Sequence, residues 1–281
     1  MAEQVILITG SSSGIGRASA VEAAARGHRV FASARRPENL ADVARPGSIE
    51  PLPLDVTDEA SVERAVAEVL RRAGRLDALV NNAGYGQYGA AEDVRLADWR
   101  RQYEVNVFGA VAAIQAALPA MRKAGRGTIV NVSSVAGKIA IPFAAPYCSS
   151  KHALEAISDA LRIEVAPFGI RVVVVEPGPI ATRFGDRARS EVAPLLSKSG
   201  PYKDFYVEAE KAMDSDFRRG QLPPEAVARV ILDAIEARRP KIRYSVTVMA
   251  KLGIPAKRFL PDRLLDRAMR GRLKLPKKKT R

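Results

Sequence analysis

The stretch QVILITGSSSGIGRASA, residues 4–20, passes from an apolar run into a turn with glycines at 10, 14 and 16, then into small residues at helical spacing. Val5 to Thr9 is apolar on both faces, as a strand covered by helices on both sides requires. Gly10 permits the sharp turn, Gly14 lets a pyrophosphate approach the backbone, and Gly16 allows close packing of the following helix. Ser12, Ser13 and Ile15 complete a cradle whose phosphates would meet the positive end of that helix. Glycine-rich turns are common, and what specifies this one is the strand directly before it and the helix directly after.

The same alternation continues along the chain. Strand-length apolar runs at 29–34, 77–82, 127–134 and 170–178 are separated by helical patterns at 15–26, 60–73, 99–124 and 147–166. Repeated βαβ units of this kind predict an α/β fold: a Rossmann-like doubly wound parallel sheet in three α/β/α layers, with ligands at the carboxyl ends of the strands. A helix at 223–237 opens with prolines and should pack back on the sheet. Residues 183–224 interrupt the pattern with polar sequence and scattered aromatics, which reads as a substrate lid inserted in one catalytic domain spanning 1–240.

The net charge of +14 invites a nucleic-acid reading until its location is considered. Residues 241–281 hold fourteen Lys or Arg against Asp262 and Asp266, so +12 sits in a basic C-terminal extension and +2 remains for residues 1–240. No basic groove across the fold is indicated, and no specific nucleic-acid binding is expected. The extension places Leu264, Leu265, Ala268, Met269 and Leu273 on one helical stripe among arginines, ahead of a closing KKKTR. It reads either as a peripheral contact with an anionic membrane or as a packed helix with a solvated basic end. Cys148 is the sole cysteine and His28 and His152 the only histidines, so neither an internal disulfide nor a metal cluster is expected. Strand-like residues from Gln4 leave no room for a secretory leader, and no stretch approaches about twenty uninterrupted apolar residues, which suggests a cytoplasmic setting.

After the second strand the chain offers Arg35 and Arg36 and no acid until Glu38. A carboxylate there would bind ribose hydroxyls, whereas a guanidinium suits a 2′-phosphate, so NADP(H) is favoured over NAD(H). Asp55, followed by Val56, could bind an adenine amino group or form a capping turn. Further on, Tyr147 and Lys151 stand four residues apart at the head of a helix, where i and i+4 share a face. An ammonium beside a phenol favours phenolate, which prepares the tyrosine for proton transfer.

The ordered set TGSSSGIG (9–16), NNAG (81–84), Asn106, NVSS (131–134), YCSSK (147–151) and PGPIAT (177–182) resembles the short-chain dehydrogenase/reductase family. The resemblance implies hydride transfer between a nicotinamide and an alcohol or carbonyl, with no metal. It makes Tyr147 the proton donor or acceptor, Lys151 the group that lowers its pKa and holds the nicotinamide ribose, and Ser134 the hydrogen-bond donor to the substrate oxygen. Asn106 would hold a water relaying protons to Lys151. Asn82, Ala83 and Gly84 would line the ribose, and Pro177, Gly178, Ile180 and Thr182 would secure the carboxamide side. The stretch 146–184 further resembles the branch with 17β-hydroxysteroid and retinol dehydrogenases, which implies a bulky apolar substrate. Tyr85, Tyr88, Pro142, Phe143 and aromatics of the insertion are candidates for its pocket. A small polar carbonyl, or a nucleotide-sensing role without turnover, are the competing readings. The resemblance also implies a homodimer or homotetramer through the helices at 99–124 and 147–166.

Overall fold

A computed structural model describes residues 2–184, 190, 200–218 and 221–272. Seven parallel strands form one sheet in the order β3-β2-β1-β4-β5-β6-β7. They are β1 (Val5–Ile8), β2 (Arg29–Ala34), β3 (Ile49–Pro53), β4 (Ala78–Asn81), β5 (Gly127–Val132), β6 (Ile170–Glu176) and β7 (Arg243–Ser245). β1 and β4 are wholly buried, because helices cover both faces of the sheet.

One face carries α1 (Gly14–Ala25) and the helix Pro224–Glu236, whose Val227, Ile231 and Ile235 join Ile6, Ile8 and Val130 in one core. The other carries α2 (Glu59–Ala73), the long helix Gly109–Ala124 and the C-terminal half of Ala145–Val165, with Val66, Ile114 and Leu161 packed on Leu7, Phe31 and Leu79. In chain order the further helices named among the described residues are α3 (Leu96–Tyr103), α4 (Gly109–Ala124), α5 (Ala145–Val165), α6 (Lys203–Arg218), α7 (Pro224–Glu236), α8 (Val248–Phe259) and α9 (Asp262–Arg272). The predicted three-layer α/β/α sheet is thus the observed one.

Three differences matter for the site. The single helix expected at 99–124 is two helices joined by a π-helical turn, Glu104–Phe108, a distortion often found at functional positions. Leu96–Ala124 as a whole is long and apolar enough to cross a membrane by length and composition, yet Ala113, Ile114, Ala117 and Met121 are packed in the core. The sheet also continues past residue 240, since β7 pairs in register with β6 as Val174 to Arg243 and Glu176 to Ser245. The division at 240/241 therefore cuts the sheet, and the C-terminal extension begins by completing it.

The 183–224 insertion lies partly outside the described residues, and its described part contains α6 rather than irregular chain throughout. Tyr206 of α6 is fully buried and takes a hydrogen bond from the Ala90 N–H at 2.9 Å while its hydroxyl donates to Asp93. Phe143 packs on Tyr206 with ring centroids 5.5 Å apart and on Tyr202 at 6.4 Å. These aromatics form a separate cluster that docks α6 against the loop after β4.

Candidate active site

The glycine turn after β1 adopts positive φ at Gly10 (+70°) and Gly14 (+58°), the left-handed region that glycine enters without a Cβ clash. A Cβ at Gly10 would lie 2.8 Å from the Ala83 Cα, and one at Gly16 would meet the Asn82 Nδ2 and lie 2.5 Å from the Gly10 carbonyl oxygen. The Asn82 Nδ2 donates to the carbonyls of Thr9 (2.9 Å) and Gly10 (3.0 Å), clamping β4 to the turn. Ser13 precedes α1 in extended conformation with no side-chain cap, so the first-turn N–H groups face the cavity uncapped.

That turn forms one end of a cavity of about 990 Å³ at the carboxyl ends of the strands. It lies where the strand order reverses between β1 and β4, the place where open α/β sheets bind ligands. Gly10, Ser12, Ser13, Gly14, Ile15, Arg35, Asp55 and Val56 line this end. Gly16 does not line it and acts through packing alone. Arg35 is exposed at the rim with no side-chain partner among the described residues, while Arg36 is exposed and does not line the cavity. The Asp55 Oδ1 accepts from the Thr57 N–H (3.0 Å) and hydroxyl (2.8 Å), the local-turn alternative of the two read from the sequence.

The other end holds the proton-transfer residues. Asn82, Ala83, Gly84, Ser134, Tyr147, Lys151, Pro177, Gly178, Ile180 and Thr182 all line the same cavity. Ser134 begins a 3-10 turn after β5, its Oγ accepts from the Ala136 N–H at 3.1 Å and donates to the Pro177 carbonyl at 3.5 Å, and it lines the cavity together with Tyr147. The Tyr147 ring stacks on Tyr88 (centroids 6.0 Å) and tilts against Phe184 (5.4 Å). The Lys151 Nζ donates to the Val132 carbonyl at 2.8 Å. A Cβ at Gly84 would sit 3.1 Å from the Asn106 Oδ1, a tight contact, and 3.7 Å from the Lys151 Nζ, so this glycine lies directly beside both polar groups.

The electrostatics differ from the sequence expectation. Burial pushes the Tyr147 phenol up to about 12, with the nearby Ser134 hydroxyl acting in the opposite sense, and Lys151 supplies no resolved lowering. Burial likewise pushes Lys151 down to about 8, with Glu155 one turn away acting in the opposite sense. The aromatic enclosure outweighs the charge pair because it disfavours both charged forms at once. A phenol held protonated at neutral pH is a ready proton donor.

Asn106 sits in the π-helical turn, where its Nδ2 donates to the Tyr85 carbonyl (2.9 Å) and the Ser150 Oγ (3.1 Å) and its Oδ1 accepts from the Tyr85 N–H (3.1 Å). It ties the loop after β4 to the catalytic helix.

Of the aromatic pocket candidates, Tyr85, Tyr88 and Phe184 line the cavity, whereas Pro142 and Phe143 do not. Phe143 is drawn into the cluster under α6, and the Phe217 side chain lies outside the described residues. Sequence reasoning missed Ile141 and Met249, which form part of the wall, and Thr247, against which any Cβ at Gly178 would collide. It also missed Arg243 of β7, which reaches Glu155 (3.0 Å) and Asp159 (2.7 Å) and so fixes the sheet edge to the helix carrying Lys151. The short strand RYS has no periodicity that would have marked it.

The cavity fits a nicotinamide dinucleotide by its own features: a Cβ-free turn against a helix end, an unpaired guanidinium at one rim, and a buried lysine and tyrosine at the far end.

The family model described as short chain dehydrogenase matches residues 4–193. An NADPH-dependent 3-dehydrocapnine reductase from Ornithobacterium rhinotracheale is 39% identical over 269 residues, covering 93% of this chain and 94% of the relative. A 3-ketodihydrosphingosine reductase from Bacteroides thetaiotaomicron is 36% identical, covering 96% and 98%. Human 17-beta-hydroxysteroid dehydrogenase type 1 is 36% identical, covering 93% and 80%. The crystal structure of a short-chain dehydrogenase from Streptomyces avermitilis superimposes with a TM-score of 0.80 at 34% identity, covering 97% of this chain and 98% of that one.

Proposed function

The chain belongs to the short-chain dehydrogenase family, an oxidoreductase of alcohol and carbonyl groups, and from that premise we propose that it uses NADP(H) to interconvert a ketone and an alcohol on a hydrophobic, lipid- or steroid-like substrate. The observation that carries this reading is Tyr147, walled by Tyr88 and Phe184 and lining with Ser134 the same cavity as the glycine turn and Arg35. Relatives named for 3-dehydrocapnine, 3-ketodihydrosphingosine and a steroid support the apolar class.

When bound, the nicotinamide supplies or accepts hydride at the reacting carbon. In the reductive direction, the Ser134 hydroxyl donates a hydrogen bond to the carbonyl oxygen as charge develops there, and Tyr147 delivers its proton to the same oxygen. Lys151, which lines the same cavity, would hold the ribose hydroxyls. The second lone pair of the Asn106 Oδ1 is available to a water beside Gly84, a route for returning a proton through Lys151. Tyr88 and Phe184 pack against the Tyr147 ring and give the reacting oxygen an apolar wall.

Arg35 tests the cofactor assignment. A charge-assisted hydrogen bond to phosphate contributes about 1.5–3 kcal/mol, so Arg35→Asp should raise the KM for NADPH by roughly 10- to 100-fold and change that for NADH far less. Initial rates with both cofactors and an apolar ketone decide it. A clear wild-type preference for NADH would remove the Arg35 argument.

Phe108 and Ile163, half to mostly exposed on the π-helical turn and α5, support pairing of these helices between subunits. Sedimentation at micromolar concentration should show a dimer or tetramer, and a monomer there would contradict the pairing.

A further inference from the structure

The C-terminal helices leave an apolar face with no partner in the fold. Val248, Leu252 and Phe259 of α8 stand at spacings of four and eleven residues, which places them on one stripe, and they are 71%, 68% and 82% exposed. Leu260 and Leu264 extend the exposed apolar surface into α9. Within α8 only Ala250 is buried, and from Asp262 to Gly271 no residue is more than half-buried. Of the stripe read from the sequence, Leu264 and Ala268 are exposed while Leu265 and Met269 are half-buried, so packing within the chain covers it only in part; Leu273 and the closing KKKTR lie outside the described residues.

Two observations say what would cover this face. Lys251, Lys257, Arg258, Arg263, Arg267 and Arg270 flank it, and none forms an ion pair among the described residues. The same surface also runs to the mouth of the cavity, because Met249 of α8 and the exposed Ile141 both line it. An apolar stripe bordered by unpaired cations is complementary to a bilayer with anionic headgroups, which takes the apolar side chains below the headgroups and the cations at their level. A duplex nucleic acid would match the cations and leave Val248, Leu252 and Phe259 in water.

We propose that α8 and α9 dock the protein on an anionic phospholipid surface with the mouth of the catalytic cavity turned toward the lipid. The docking stands on exposure and charge alone. Entry of substrate from the bilayer rests in addition on the apolar-substrate reading above.

The test is flotation of the full chain with vesicles of phosphatidylcholine containing phosphatidylglycerol, against pure phosphatidylcholine, at low and high salt. Cofloatation with the anionic vesicles only, weakened by salt and at least tenfold weaker in the double variant Leu252→Glu, Phe259→Glu, is the expected result. Neither of those residues lines the cavity, so turnover of a water-soluble ketone should be unchanged and reports that the variant is folded. Equal flotation of wild type and double variant would overturn the proposal. So would a concentration-dependent oligomer dissolved by the same substitutions, which would make a second copy the occupant, or loss of vesicle binding to competing duplex DNA with no effect of the apolar substitutions. Absent vesicle binding with normal ketone turnover would overturn the docking and leave the catalytic reading standing.

Discussion

Tyr147→Phe is expected to lower kcat for carbonyl reduction by about 10³-fold, within the range of roughly 10²–10⁴ that a positioned general acid contributes. The substitution removes one hydroxyl and keeps the ring that packs between Tyr88 and Phe184, so the fold and the cavity wall remain. The dissociation constant for NADPH should stay within about twofold, because an interaction made in the transition state is lost rather than one that holds the cofactor. Initial-rate assays beside a cofactor titration separate the two. A loss below about tenfold would assign proton delivery elsewhere in the site.

Lys151→Met should abolish most turnover and at the same time make the protein more stable at neutral pH. Burial depresses Lys151 from 10.5 to about 8, which means that the folded state resists the charged form. At about 1.4 kcal/mol per pKa unit the penalty is on the order of 3 kcal/mol, and loss of the hydrogen bond to the Val132 carbonyl offsets about 1 kcal/mol of it. A net gain of about 2 kcal/mol would raise Tm by roughly 4–8 °C in a chain of this size. The pH dependence fixes the sign. Below about 8 both folded and unfolded lysine are protonated and the penalty is complete; between 8 and 10.5 only the unfolded chain holds the proton, so wild-type stability climbs with pH relative to the variant. The advantage of Lys151→Met should thus shrink across that window in thermal melts. A variant less stable than wild type at pH 7 would show that the attraction of Glu155 and the Val132 bond outweigh burial. Reductive kcat/KM in the wild type should likewise decline as pH rises through about 8, when Lys151 loses its charge while Tyr147 remains protonated.

What the sequence disclosed were the features set by local spacing. Gly10 and Gly14 declare their turn because its left-handed backbone is a local requirement, although the close approach at Gly10 and Gly16 comes from Ala83 and Asn82. Tyr147 and Lys151 declare their shared face because a helix places i and i+4 together. What it withheld depends on where distant chain returns. Arg243 belongs to a three-residue strand with no readable period, and its worth lies in reaching Glu155 eighty-eight residues away. Phe143 looked like a pocket residue beside Pro142, yet Tyr206 of α6 draws it aside. Met249 closes the cavity only because β7 first carries the chain back to the sheet edge. The direction of the Tyr147 shift was also beyond the sequence, since its enclosure includes Tyr88 and Phe184 from two distant segments of the chain.

Oxidation of NADPH by the wild-type protein across a series of ketones, from small and polar to long-chain and steroid-like, tests catalysis in this cavity most directly. Turnover with kcat/KM rising with apolar size, and greater with NADPH than with NADH, is the predicted result. Tight NADPH binding with no turnover of any ketone or alcohol would contradict it.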